Sequence, residues 1–423
     1  MFKFIHAADV HMDSPLHRLD TYEGVPVDEF RQATRRAFEN LIRLAISENA
    51  AFVLIAGDLY DGDWKDYNTG LYLVSQLRQL ENAGIRVFLL AGNHDAASRI
   101  SKTLRFPENV RLFSVDDPET YYIDELNVAI HGQGFASPAV KKDLSKHYPN
   151  AAAGYFNIGL LHTCATGREG HENYAPCSVE GLLSKGYDYW ALGHVHAHEV
   201  LTTDPLIVFS GNIQGRHVRE TGPKGCVLVN VDDDGRAEAM FRPLDVVRWE
   251  SVHVDADQAE SGYDIIDRVS DRIDMLMEKN GDMPMALRVH IEGETMVHDE
   301  ILSDVERWIN EIRSLAIDSG NRRIWVEKVK FDLGLPISGQ VPKKQQGALG
   351  ELLQLFDELL SDEYGRRLLR EELMDLQRRL PRELKMPLES DSPDSTWLDD
   401  IMAQARPMLV SRLLRKGVRN ADR

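Results

Sequence analysis

The chain has 423 residues, 43% of them hydrophobic, and a formal net charge of −19. That length supports a sizeable core divided into two or three domains, and no apolar run approaches the roughly 20 residues of a membrane span. The acidic balance disfavours indiscriminate adhesion to nucleic acid, although a local basic track can still hold it.

MFKFIHAADVHMDSP is no secretory signal, because Asp9 and His11 interrupt its apolar run. Cys164, Cys177 and Cys226 form no C-x-x-C pair, so unpaired thiols and a cytoplasmic location are expected. FKFIHAADV reads as a strand running into a loop. In DEFRQATRRAFENLIRLAISENA, Phe30, Ala33, Ala37, Phe38, Leu41, Ile42 and Ala45 recur at helical spacing, with Arg31, Arg35 and Arg36 on or beside the solvated face. AFVLIAGD is a second strand, NTGLYLVSQLRQLENAG a helix closed by glycine, and IRVFLLAGNHD a third strand. This alternation predicts buried strands covered by helices. Further strands are expected at LNVAIHGQGF, FNIGLLHT, YDYWALGHVH, PLIVFSGN and GCVLVNVD. From about residue 246 the pattern becomes strand, helix, strand, helix, strand, ending at RRIWVEKVKFDL. PISGQVPKKQQG reads as a linker. Beyond it Leu349, Leu352, Leu353, Phe356, Leu359 and Leu360 form an apolar stripe, and an amphipathic stretch from Trp397 to Leu414 is broken by Pro407. The expected domains are 1–245, 246–335 and 336–423.

Chemistry-bearing residues gather at the carboxyl ends of the apolar runs. Asp9 and His11 follow the first strand, Asp58 the second, and Asn93, His94 and Asp95 the third; His162 ends FNIGLLHT, and His194 and His196 follow YWAL. That edge is where ligand sites form in open α/β sheets. Two divalent cations about 3.5–4 Å apart need a bridging ligand and mixed oxygen and nitrogen donors. Asp58 is the natural bridge. Asp9, His11 and His196 would complete one shell, and Asn93, His162 and His194 the other. The neutral amide of Asn93 limits negative charge, so a phosphate oxyanion remains welcome. His94, pointing away from its neighbour Asn93, is free to protonate a leaving oxygen. Such donors suit Mn, Fe or Zn better than Ca or Mg.

The ordered set DVH, GDLYD, GNHD, LLHT and GHVH resembles the calcineurin-like metallophosphoesterase superfamily. The stretches IHAADVHMDSPL, VFLLAGNHD and FSGNIQGRHVRETGPKGCVLV are similar to one branch of it, the bacterial DNA-repair exonucleases of the SbcD and YhaO type, relatives of the nuclease subunit of the double-strand-break repair complex. The resemblance implies an α/β fold: a metallophosphoesterase β-sandwich flanked by helices, a small α/β capping domain, and a helical C-terminal arm. It implies metal ligation by Asp9, His11, Asp58, Asn93, His162, His194 and His196, and catalysis by His94. It further implies two divalent metals with Mn foremost, 3′→5′ hydrolysis of DNA with room for endonuclease activity, and a coiled-coil ATPase of the SMC type docked on the C-terminal helices; a homodimer is compatible. Some relatives carry histidine where this chain has Asp61, which is expected to orient a ligand instead. Arg216, His217 and Arg219 lie in a loop where basic groups would meet phosphate. His6, Asp95, His131 and His198 are read as structural. The acidic charge also admits a phosphoesterase acting on small nucleotides or phosphoproteins, or a chain that is chiefly an assembly subunit.

Overall fold

The computed structural model describes residues 1–14, 32–61, 67–97, 105–165, 174–320, 323–334, 358 and 362–379. Twelve strands carry the larger part: β1 (Phe2–Ala7), β2 (Phe52–Ile55), β3 (Arg86–Leu89), β4 (Val110–Leu112), β5 (Glu119–Ile123), β6 (Val128–Gly132), β7 (Phe156–His162), β8 (Tyr189–Gly193), β9 (Glu199–Thr203), β10 (Leu206–Phe209), β11 (Gly225–Val231) and β12 (Ala237–Pro243). They form two six-stranded sheets, ordered β12-β11-β1-β2-β3-β4 and β5-β6-β7-β8-β10-β9. Within them β1, β2 and β3 run parallel, as do β6, β7, β8 and β10, so several carboxyl ends share one edge of each sheet.

Alternation of side chains decides the layers. Phe4, Phe52, Leu54 and Phe88 point inward to meet Val128, Ile130, Ile158, Leu160, Tyr189 and Ala191 of the other sheet. Their sequence neighbours Ile5, Ala7, Val53, Ile55 and Val87 point the other way, onto α1 (Ala33–Ser47) and α2 (Tyr67–Asn82). Helix α1 buries Ala37, Phe38, Leu41, Ile42 and Ala45, the expected stripe. The second sheet is covered on its far side by Tyr148, Tyr187 and Leu182, which pack on Trp190, Leu192 and Phe209. Both sheets are therefore buried on both faces, which explains their nearly continuous apolar runs.

Four strands escape the sequence pattern. β4 is three residues long and mostly exposed, and β5, β9 and β12 show no clean alternation of burial. All four close a sheet edge, so one side of each needs no apolar neighbour. Beyond them β13 (Arg248–Asp255), β14 (Met285–Glu294) and β15 (Ile324–Gly334) form a three-stranded sheet in that order. Two short helices, α3 (Asn93–Ala97) and α4 (Val179–Leu183), precede this region; its first helix is α5 (Gly262–Asn280), and the second is interrupted at Asp304 into α6 (His298–Ser303) and α7 (Val305–Ser319). The chain divides into two compact units. One comprises Met1–Ser251, Met277–Arg288 and Gly320–Glu327, the other Val252–Leu276, Val289–Ser319 and Lys328–Arg423. Among the described C-terminal residues a helix, α8, spans Glu363–Arg379. The stripe from Leu349 to Leu360, the stretch from Trp397 to Leu414, and Arg31 lie outside the described residues. Arg35 pairs with Asp13 and lies 4.8 Å over the Tyr72 ring, whereas Arg36 is exposed.

His6 is the polar exception in the inter-sheet layer. Its ring nitrogens sit 2.9 Å from the Tyr189 hydroxyl and 3.2 Å from the Leu192 carbonyl. Burial pushes its pKa down to about 3. The folded chain thus keeps this imidazole neutral while the unfolded chain protonates it near pH 6.5. Stability contributed by the neutral form is lost as pH falls from about 6.5 toward 3, at about 1.4 kcal/mol per pH unit. His6→Gln is expected to remove about one proton from the acid-side slope of unfolding free energy, measured by urea denaturation at stepped pH. A slope equal to that of the parent would show that His6 is already protonated in the folded chain.

Candidate metal centre

The loops after β1 and β2 run side by side. Asp9 and His11 donate their amides to the carbonyls of Gly57 (3.1 Å) and Asp58 (3.0 Å), and Met12 donates to Leu59 (3.0 Å). The ends of the two sheets then meet almost backbone to backbone. A Cβ on Gly193 would lie 1.9 Å from the Ala56 carbonyl oxygen, one on Gly57 2.5 Å from the His162 ring, and one on Gly92 2.2 Å from Asp58 Oδ1. The glycines preceding Asp58, Asn93 and His194 are thus demanded by close approach. Asp9, His11, Asp58 and His194 adopt positive φ angles of 50°, 44°, 52° and 96°. Non-glycine residues rarely do so, and such conformations concentrate at functional sites.

These turns bring the expected ligands together. Donor atoms of Asp9, His11 and His196 lie within 4.8 Å of one another, as do those of Asp58, His162 and His194, and those of His11, Asp58 and His94. Asp58 Oδ2 stands between the sets, 3.8 Å from His11 Nε2 and 3.5 Å from His162 Nε2. His162 Nε2 is 2.8 Å from Asn93 Oδ1. Asp9 accepts the His194 amide on both oxygens, at 3.1 and 3.0 Å, and Asp58 accepts the His94 amide at 2.9 Å.

The electrostatics favour a cation. Burial, reinforced by Asp58, raises Asp9 well above the usual carboxylate range, and burial lifts Asp58 to about 6. Burial lowers His11, His162 and His196, keeping their imidazoles neutral and able to donate a lone pair. His162 is the clearest case. Its Nδ1 is 2.8 Å from the Ala56 carbonyl, which only accepts, so Nδ1 carries the proton. Bare Nε2 then faces the oxygens of Asn93 and Asp58, a set of lone pairs that a divalent cation reconciles. The residues fit a two-cation centre on this ground.

His94 turns away from Asn93, as expected of neighbours in a tight turn. Its Nδ1 is 2.8 Å from Asp61 Oδ1 and its side chain is 38% exposed. Hydrogen bonding to Asp61 raises its pKa. Burial would push Asp61 up, but the imidazoles of His11 and His94 beside it, the latter hydrogen-bonded, hold it far below the usual range. Asp95 accepts the amides of Gly92 (3.0 Å), Leu59 (3.1 Å) and Tyr60 (2.9 Å), tying the loop after β3 to the loop after β2. His198 lies outside these donor groups: Nδ1 meets the Phe209 carbonyl at 3.1 Å and the ring stacks on Phe241. His131 stacks on Tyr187 and bonds to Thr120 and Asn157. His217 and Arg219 are exposed, whereas Arg216 turns inward toward Glu220 and Asp61. Glu220, whose Oε1 is 2.7 Å from His196 Nδ1, went unnoticed in the sequence. A carboxylate 24 residues from its partner has no local signature.

A calcineurin-like phosphoesterase family profile matches residues 2–198, and that of the middle domain of metallophosphoesterase YhaO matches residues 249–334. The uncharacterized metallophosphoesterase YhaO of Bacillus subtilis (strain 168) is 33% identical over 294 residues, covering 69% of this chain and 71% of that one. The chain belongs to the calcineurin-like metallophosphoesterases. This metallophosphoesterase is also similar to the DNA double-strand break repair protein Mre11 of Sulfolobus acidocaldarius, 23% identical over 325 residues (71% of this chain, 77% of that one). Mre11 of Methanopyrus kandleri is 29% identical over 291 residues, 59% and 60% of the two chains. These likenesses support its place on the DNA-repair branch of the superfamily.

The Gly92 contact yields a direct test. Gly92→Ala would drive a methyl into the Asp58 carboxylate, and the metallophosphoesterase is expected to bind Mn²⁺ at least about tenfold more weakly at both positions. Equilibrium dialysis with elemental analysis reads this, with circular dichroism as the check on folding. Binding at parental affinity would show that Asp58 does not hold the cations.

Proposed function

We propose that the metallophosphoesterase hydrolyses phosphodiester bonds in DNA, as a Mn-dependent 3′→5′ exonuclease working in repair with a coiled-coil ATPase of the SMC type. One observation carries the reading: half-exposed His94 borders the donor groups and is backed by Asp61 at 2.8 Å. The Asp61 carboxylate stabilises the imidazolium, whose Nε2–H is then available to a leaving oxygen. Similarity to proteins named for DNA double-strand break repair supports DNA as the substrate.

On this reading Asp9, His11 and His196 hold one cation, Asn93, His162 and His194 the other, and Asp58 both. Bound divalent cations would supply charge stabilisation for the phosphate and activation of the attacking water. Mn fits the mixed nitrogen and oxygen donors, as Fe or Zn also would. Exposed His217 and Arg219 are the proposed phosphate contacts. Residues 1–245 form the nuclease domain, 246–335 the capping domain and 336–423 the linker and ATPase-docking arm. The cytoplasm is the proposed location; among the described residues no helix is long and apolar enough to cross a membrane. The net charge of −19 favours a second reading, a phosphoesterase for small nucleotides or phosphoproteins.

His94→Gln is expected to lower Mn-dependent release of nucleotides from linear DNA by about 10²–10⁴-fold while Mn²⁺ content is retained. Undiminished release would remove His94 from the catalytic role. A digestion panel separates the two readings, since turnover of small phosphodiesters with none of DNA favours the second. Truncation after residue 340 is expected to abolish co-purification with the ATPase, and survival of the complex would place the docking surface elsewhere.

A further inference from the structure

Glu220 is 5% exposed, and both its oxygens are engaged. Oε1 lies 2.7 Å from His196 Nδ1 and 3.2 Å from the Arg216 guanidinium; Oε2 accepts from Asn212 Nδ2 at 2.9 Å and from the Arg216 amide at 2.7 Å. The same guanidinium reaches Asp61 Oδ2 at 3.6 Å and Ser14 Oγ at 3.5 Å, and its side chain is only 14% exposed. Asp61 in turn meets His94 at 2.8 Å and His11 Nδ1 at 3.6 Å. One arginine thus links two carboxylates, and each carboxylate faces the Nδ1 atoms of site imidazoles.

We infer that Glu220 and Arg216 are positioning residues: Glu220 fixes His196 as the Nδ1–H tautomer that presents Nε2 to a cation, and Arg216 locks Glu220 to Asp61, the carboxylate behind His94. The inference rests on the two-cation reading above. A guanidinium nitrogen also lies 3.3 Å from His196 Nδ1, but it can only donate, and it has Glu220 Oε1 to donate to. The carboxylate is nearer and only accepts, so the proton belongs on Nδ1. At 3.6 Å the Asp61 carboxylate favours a proton on His11 Nδ1 by charge rather than by a hydrogen bond. Two Nε2 lone pairs then face each other at 3.2 Å, about the separation of adjacent nitrogen donors on one metal at bond lengths near 2.1 Å. Arg216 offsets two anions that would otherwise repel, buried Glu220 and part-buried Asp61, and this inward pairing occupies the group a phosphate contact would need.

The test titrates Mn²⁺ alone into the metal-free full-length chain by calorimetry. In Glu220→Gln the amide can donate to Nδ1 and release the tautomer, so one Mn²⁺ is expected to bind about 10–100-fold more weakly while the other keeps its affinity. Arg216→Met is expected to weaken the same Mn²⁺ and to lower kcat on DNA with KM little changed. A pure phosphate contact would instead raise KM and leave Mn²⁺ binding intact. Nitrogen-15 NMR of labelled histidines in the metal-free parent reads the tautomer directly, even if a variant fails to fold. An Nε2-protonated His196, or parental affinity for both Mn²⁺ in Glu220→Gln, overturns the inference. A parent that binds fewer than two Mn²⁺ overturns the two-cation reading, and the His196 tautomer still decides the role of Glu220.

Discussion

Two aspartates buried against each other set the terms for the whole molecule. Asp9 and Asp58 are each 1% exposed at the mouth of an apolar sandwich. Removing one carboxylate from water is costly, and removing two side by side is more so, unless opposite charge or hydrogen bonding compensates. The backbone supplies part of the compensation through the amides of His194 and His94. The neutral imidazoles of His11, His162 and His196 supply lone pairs but no positive charge, His94 is paired with Asp61, and Arg216 is already shared between two other carboxylates. What remains is a deficit of positive charge at the centre of the donor groups. A phosphoesterase can use such a deficit, because cations that answer it also receive phosphate.

The geometry that creates the deficit is itself strained. Four donor residues have positive φ, each costing on the order of 1–3 kcal/mol, and they persist only because the surroundings over-determine them. Those surroundings are identifiable. The inter-sheet aromatic layer, in which Phe4 meets Tyr189 of the other sheet edge-on at 5.2 Å, sets the spacing of the sheets, and the glycines let their ends touch. Asp95 then fastens two of the loops by three amide hydrogen bonds. The rim is more open: His94, held by Asp61 and by the His11 ring, is 38% exposed, and His217 and Arg219 are exposed.

Much of this was legible because strand alternation and loop position are local signals. Apolar runs such as FVLI and YWALG announced the strands, and polar residues just after them announced the cluster. Asn93 and His94 were separable for a local reason too, since adjacent side chains in a turn diverge. What stayed hidden depends on distant parts of the chain meeting. Glu220 reaches His196 only because β9 and β10 fold back between them. Arg216 stood out as basic, yet its inward direction follows from Asp61 and Glu220 on separate loops. The edge strands β4 and β12 have partners on one side alone, so their sequences carry little pattern. At Asp304 a continuous helical periodicity concealed a break in the backbone.

The strand order has a consequence for synthesis. β1 is flanked by β2 and by β11, and Phe2 pairs with Val231. A ribosome delivers the first neighbour early and the second only after more than half the chain has emerged. Until then FKFIHA presents one unpaired edge, an open template for another strand. Glu220, behind His196, belongs to the same late segment. The nascent chain therefore lacks its sealed edge until β11 arrives, and the carboxylate behind His196 emerges only shortly before it. Translational pausing or truncation before β11 is thus a point of aggregation risk.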